Sequence, residues 1–312
     1  MLREHAKQVQ IVTYYGKEID YACLEDVLKS ASPEDLFIIS FGPHITALAK
    51  RLSGRRIIYY AQSFGWRITL PNQIPIFCVS RYVLSQWAVK SPTRPLFLLP
   101  PVIDVEYQDS NVEREIDILV YLSPKMSPYL SSFVKKLQNK YRVLVIDKLI
   151  PRRDFLENMK KANVFLYYSK PILDSRGAEG FGLMPLEALC CGCKVFSNLF
   201  GGLSDYLDPG INAYQLGVYS MEYDLQRLSE VIKQKQDMKY RIVLREAYSE
   251  NMFHQRMKGI LEELHCCFKY RENSVFSSPK SLCHFGKMQD RRRFGFLTMA
   301  RKLIGRALCI RT

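Results

Sequence analysis

Short apolar runs closed by glycine or proline alternate with segments of helical spacing, and this alternation most constrains the fold. Val9–Tyr15 is a β-rich run closed by Gly16, Leu36–Phe41 ends at Gly42, and Ile57–Tyr60 and Ile76–Val79 follow. Leu96–Leu99 stops at Pro100-Pro101, which cannot donate to a central ladder. Between them Leu24–Ser30, Pro43–Leu52 and Arg81–Ala88 read as helices, the last with Ser80 as N-cap. A second series has strands at Ile116–Leu122, Arg142–Ile146, Val164–Tyr168, Lys194–Ser197 and Ala213–Leu216. Its helices are predicted at Ser127–Tyr141, Arg153–Ala162, Leu203–Leu207, Tyr223–Lys235 and Tyr240–Cys267. Strands that alternate with helices form parallel βα units, so the chain reads as α/β, with parallel sheets flanked by helices.

The two series are separated by Pro100–Arg114, a proline pair followed by a polar, acidic stretch that reads as a hinge. The expected division is an N-terminal lobe over 1–105, a second lobe over 106–267 and a basic tail over 268–312. At 312 residues the chain is long enough for two cores. The formal net charge is +14, and it is unevenly spread: from Cys266 to Thr312 eleven lysines and arginines face only Glu272 and Asp290. A nucleic-acid binder would spread that charge over a folded face, and few aromatics interleave with the tail's basic residues, so that function is set aside. Leu297, Ala300, Ile304, Ala307 and Leu308 fall on one helical arc behind Arg291-Arg292-Arg293. This predicts a basic amphipathic segment suited to an anionic membrane surface, with a frayed terminus as the alternative. The first residues hold no apolar signal core, and no apolar run approaches the ~20 residues of a membrane span. With nine cysteines in no even framework, a cytoplasmic setting, peripheral to the membrane's inner face, is expected.

One stretch carries chemistry. Arg176 to Gly202 reads R-G-A-E-G-F-G-L-M-P-L-E-A-L-C-C-G-C-K-V-F-S-N-L-F-G-G. A Gly180-Phe181-Gly182 loop feeds a helix with Pro185 in its first turn and Gly192 at its end. Glycines that let the backbone approach a ligand, next to a helix N-terminus, make a phosphate site. Glu179 and Glu187 flank that loop, and a carboxylate does not bind phosphate. Each accepts hydroxyl hydrogens instead, which points to sugar and ribose. Cys190, Cys191 and Cys193 lack metal-ligand spacing and read as packing residues.

The Glu179-x7-Glu187 spacing, the Gly-Phe-Gly loop and Gly201-Gly202 resemble the retaining family-4 glycosyltransferases (glycosyl transferases group 1). That resemblance implies the GT-B fold: two Rossmann-like lobes with a cleft between them. It implies a transferase that moves a sugar from a UDP-, GDP- or dTDP-linked donor to a lipid-linked or saccharide acceptor, in cell-surface polysaccharide or glycolipid synthesis. No cofactor or metal is implied. Glu179 would contact donor-sugar hydroxyls, Gly180, Phe181, Gly182 and Leu183 would face sugar and diphosphate, and Glu187 would hold the ribose. Lys125 stands where the family places basic residues on the diphosphate. The chain reads Tyr121-Leu-Ser-Pro-Lys-Met there, without the family's arginine and glycines, and Arg176 is the candidate replacement cation. His44, Gln62 and Ser63 are acceptor-side candidates at the carboxyl ends of first-lobe strands. The family's Gly-Gly loop after the first strand is absent and the first lobe is short. A catalytically weak nucleotide-sugar-binding subunit is therefore the alternative.

Overall fold

The computed structural model describes residues 4–6, 8–14, 21–40, 42, 44–64, 68–109, 112–121, 128–168, 179–234, 239–273 and 306–311. It divides into two compact units, one of residues 1–99 with 254–312 and the other of residues 100–253.

The first unit carries β1 (Gln8–Thr13), β2 (Ala22–Cys23), α1 (Leu24–Ser30), β3 (Leu36–Ser40), α2 (Ile45–Arg51), β4 (Arg56–Ala61), β5 (Ile76–Cys78), α3 (Arg81–Lys90) and β6 (Leu96–Leu98). The strand runs are almost wholly apolar because both faces of the sheet are covered: Leu36 to Ile39, Ile57 to Tyr59 and Ile76 to Cys78 are all buried. Ser80 caps α3, accepting from the Val83 amide at 3.1 Å. Trp87 of α3 is 2% exposed and meets Tyr59 edge-on at 5.9 Å. Buried Arg94 donates to the carbonyls of Leu70, Pro71 and Ile74 at 2.8–2.9 Å, which satisfies the loop that leads into β5.

The second unit carries β7 (Ile116–Tyr121), α4 (Pro128–Gln138), β8 (Val143–Ile146), α5 (Arg152–Lys160), β9 (Ala162–Tyr167), α6 (Leu183–Cys190), β10 (Lys194–Ser197), a 3-10 turn (Gly201–Asp205), β11 (Ala213–Gln215), α7 (Met221–Val231) and α8 (Lys239–Ala247). α9 (Glu250–Asn273) runs on into residues of the first unit, and β12 (Arg306–Arg311) joins the first unit's sheet. The second sheet has the order β11-β10-β9-β7-β8, parallel throughout, with Val120 opposite Leu166 and Phe196 opposite Leu166 across the two central ladders. Leu130, Phe133, Val134 and Leu137 of α4, with Leu228 and Val231 of α7, close one core over it. Each such side chain contributes about 1.5–3 kcal/mol by burial.

The expected α/β class with parallel sheets holds. Four local expectations do not. The predicted helix over Tyr240–Cys267 is two helices, because Ser249 interrupts it and its hydroxyl accepts from the Met252 amide at 3.2 Å to start α9. The predicted helix at Leu203–Leu207 is a 3-10 turn beginning at Gly201. The segment read as a hinge is anchored at two points, although Asp104 to Glu106 and Gln108 are exposed: Ile103 and Tyr107 are buried, and the Ile103 amide donates to the Tyr248 carbonyl at 2.9 Å. The last expected difference is at the chain's end. Residues 306–311 form β12, antiparallel to both β1 and β3, where helical spacing had placed Ala307 and Leu308 on an amphipathic arc. The run Ala-Leu-Cys-Ile between two arginines suits a buried strand as well as a helix, and the gap between β1 and β3 decides for the strand. Residues 291–305 lie outside the described residues. The expected lobe ends at 105 and 267 compare with unit ends at 99 and 253.

Candidate active site

The strand order of the second sheet reverses direction between β7 and β9. From β7 the chain moves to β8 on one side, and from β9 it moves to β10 and β11 on the other. The reversal leaves a crevice outside the carboxyl ends of β7 and β9, the place where open parallel sheets bind ligands. The described residues at that edge are Tyr121, Tyr167 and Tyr168 at the strand ends and residues 179–182, which lead into α6.

Glu179 is anchored at this edge. Its carboxylate accepts from the hydroxyl of Tyr167, the last residue of β9, at 2.8 Å, and its carbonyl accepts from the Gly202 amide at 2.7 Å. The glycine loop behind it is tightly enclosed. Gly182 adopts φ +80° at the N-cap of α6, and a Cβ there would lie 2.4 Å from Leu203 Cδ2 and 3.1 Å from Glu179 Cγ. A Cβ on Gly202 would lie 2.0 Å from the Gly180 carbonyl oxygen. The Gly180-Phe181-Gly182 segment is thus pressed between the Gly201-Gly202 pair and the start of α6. Tyr206 holds it from the far side, donating to the Gly182 carbonyl, and Phe181 packs 5.3 Å from both Tyr206 and Tyr248. No side chain caps the N-terminus of α6 among the described residues.

Leu183 is exposed at the head of α6, and Glu187 lies one turn further along the same face. Glu187 is 6% exposed, with Arg152 Nη2 at 3.5 Å from Oε1. Burial raises its carboxyl above the ordinary range, with Arg152 opposing. The C-terminus of α6 is fixed by charge: Arg114 donates to the Cys191 carbonyl at 3.0 Å and to Asp109 at 3.2 Å, and Arg241 donates to Asp109 at 2.6 Å.

The other sequence candidates fall as follows. Lys125 and Arg176 lie outside the described residues. His44 is the N-cap residue of α2, half-buried, with its ring 5.9 Å from Tyr14; Gln62 is exposed and Ser63 half-buried just after β4. Those three belong to the first unit, while Glu179, Gly180 to Leu183 and Glu187 share one loop-and-helix of the second. The three cysteines are packing residues. Cys190, Cys191 and Cys193 are buried, the Cys193 thiol donates to the Met159 carbonyl at 3.1 Å, and burial pushes the thiols of Cys190 and Cys193 up to about 12 and about 11. Tyr167, Tyr206, Tyr107 and Arg152 were not singled out from sequence. Arg152 had a readable signal, since it follows Pro151 just beyond the carboxyl end of β8, at the ligand edge of the sheet.

Residues 123–251 match the family described as Glycosyl transferases group 1. Over that stretch, less than half of its length, the chain is similar to this family. The matched stretch takes in α4 to the start of α9 and includes Glu179, Gly180 to Leu183 and Glu187. Among solved structures, the pneumococcal O-GlcNAc transferase GtfA, in complex with UDP and GlcNAc, superposes with a TM-score of 0.52 at 12% identity, over 76% of this chain and 58% of that one. HepE from Anabaena, in complex with UDP and glucose, gives 0.52 at 12% identity over 72% and 78%. A glycosyltransferase from Rickettsia africae gives 0.54 at 13% identity over 77% and 79%. At such identities the likeness is one of fold, and it bears out the GT-B class. The chain spans little more than half the length of GtfA. No curated protein sequence matches it.

Proposed function

We propose that the protein is a retaining glycosyltransferase that moves a sugar from a nucleotide-diphosphate donor to an acceptor hydroxyl. The observation that carries this is Glu179, held by Tyr167 at the carboxyl end of β9 beside the glycine-lined N-terminus of α6, with Glu187 one turn beyond. On this reading the first amides of α6 and the Gly180–Leu183 backbone take the diphosphate and sugar. Glu179 accepts from sugar hydroxyls, and Glu187 from the ribose. The bond between the anomeric carbon and the diphosphate oxygen breaks, and a bond to the acceptor oxygen forms on the same face. The acceptor's proton passes to the departing phosphate, so the protein supplies position and charge more than acid–base groups. Lys125 and Arg176 are the cations assigned to the developing negative charge. GtfA and HepE, whose structures hold UDP together with a sugar, support a nucleotide sugar as donor.

The test is a turnover screen over UDP-, GDP- and dTDP-sugars with saccharide and lipid-linked acceptors. Glu179→Gln is expected to lower kcat on the order of a hundredfold to a thousandfold. Wild-type turnover in that variant, or tight donor binding with no turnover on any acceptor, overturns the transferase reading. The setting we assign is cell-surface polysaccharide or glycolipid synthesis, with Arg291–Arg293 drawing the protein to anionic lipid. No helix among the described residues is long and apolar enough to cross a membrane. Neutralising the three arginines is expected to release the protein from phosphatidylserine vesicles in a co-sedimentation assay, and undiminished binding rejects the membrane role.

A further inference from the structure

Glu187 is a buried carboxylate on the second turn of α6, and two side chains from outside the helix meet it. Arg152 opens α5, after the short connection that follows β8, and brings Nη2 to 3.5 Å from Oε1. Tyr107 comes from the segment that follows Pro100 and is 1% exposed. Its phenol oxygen accepts from Arg152 Nε at 3.0 Å, and the guanidinium carbon stands 5.1 Å from the centre of its ring. The arginine is therefore laid on a rigid aromatic surface by a hydrogen bond and a cation–π contact, and aimed at the carboxylate.

The neighbours of Glu187 pull in opposite directions. Burial raises its carboxyl, Arg152 and the Tyr107 phenol favour the charged form, and the Asp104 carboxylate opposes them; the net result lies above the ordinary range. Burial and the Glu187 charge in turn push the Tyr107 phenol up to about 12, so it stays protonated as a donor. An ionised carboxylate offers about four acceptor sites. One cation and one phenol occupy two of them, which leaves two, the number a vicinal diol requires. A protonated carboxyl would turn one of those acceptors into a donor and lose that match.

We infer that Tyr107 and Arg152 are positioning residues that keep Glu187 ionised and oriented to accept both hydroxyls of a donor ribose. This rests on the donor-site reading given above. Neither residue lies in the Glu179–Glu187 string, and they reach the helix from two different connections, the one after Pro100 and the one after β8.

The test uses the full chain and two readouts. In the first, UDP, GDP and dTDP are titrated calorimetrically from about pH 5 to about pH 8, and each variant's affinity is taken relative to wild type. Arg152→Gln is expected to approach wild-type affinity at the alkaline end and to lose about tenfold per pH unit below the raised carboxyl pKa. Tyr107→Phe should shift the same way by less, and Arg152→Lys should restore most of the loss. Glu187→Gln should bind weakly at every pH, and adding Arg152→Gln to it should create no slope. The second readout is thermal unfolding without nucleotide. A carboxyl whose folded pKa is raised destabilises the fold above that pKa, and the penalty vanishes as pH falls through it. Arg152→Gln should therefore lower Tm near neutral pH, with the deficit closing on acidification and absent once Glu187 is also Gln. A pH-independent deficit in both readouts overturns the inference. If the thermal readout behaves as expected but wild type binds none of the three nucleotides, the donor-site reading fails and the ribose role falls with it, while the control of ionisation stands.

Discussion

Tyr167 occupies the last position of β9 and donates to Glu179 from a buried site. Its phenol is raised far above the ordinary range, by burial first and by the Glu179 charge second, so it is a fixed donor at any working pH. A hydrogen bond to a charged group contributes about 1.5–3 kcal/mol. Tyr167→Phe is accordingly expected to lower kcat/KM by about tenfold to a hundredfold, and Tm should move little because the ring still packs on Phe165 at 6.3 Å. Steady-state kinetics beside a melting curve checks this, and a kcat/KM equal to wild type removes Tyr167 from the site. The sequence displayed Glu179, the glycines and Glu187 because loop glycines and helix boundaries are local signals. It hid Tyr167, Tyr107 and Arg152, whose relevance depends on which strand ends and connections meet, a matter of strand order and not of spacing.

At the scale of elements, α6 is fixed at both ends by different means. Its N-terminus is shaped by steric closeness among Gly182, Gly202 and Leu203, and its C-terminus by charge. Asp109 sits between Arg114 and Arg241, whose side chains are 18% and 8% exposed, and Arg114 also donates to the Cys191 and Ala162 carbonyls. This cluster ties the segment after Pro100 to β9, α6 and α8. Removing the carboxylate leaves two largely buried guanidinium groups without their shared counter-charge, which costs about 3–5 kcal/mol. Asp109→Asn is expected to lower the unfolding free energy read from urea titration by that much; a loss below about 1 kcal/mol, the scale of an exposed pair, shows the cluster to be solvated. The acidic composition of the segment suggested a solvated hinge, and only partners far along the chain reveal Asp109 as interior. By contrast, Ser80 and Ser220 act as the caps their positions predict or permit, with the Ser220 hydroxyl accepting from the Tyr223 amide at 3.2 Å.

For the whole molecule, the sequence made the two α/β sheets legible through their alternating runs, yet the first sheet is completed from elsewhere. Its order is β2-β1-β12-β3-β4-β5-β6, so residues 306–311 pair with β1 from Gln8 to Thr13 on one side and with β3 on the other. Deleting residues 306–312 would expose two inner strand edges. Such a chain is expected to melt at a lower temperature and to self-associate, and a synthetic peptide of residues 306–311 added in trans should reverse part of both effects. Unaltered melting and light scattering would show that the strand is dispensable.

The position of β12 also sets an order of events during translation. At roughly 5–20 residues per second, residues 306–311 leave the ribosome about 15–60 s after β3. The second unit, continuous from 100 to 253, is fully made within that interval and has all its strands to hand. The first unit does not. Until β12 arrives, the facing edges of β1 and β3 are open to any extended segment, and a nascent chain in this state is the natural client of a chaperone that shields strand edges.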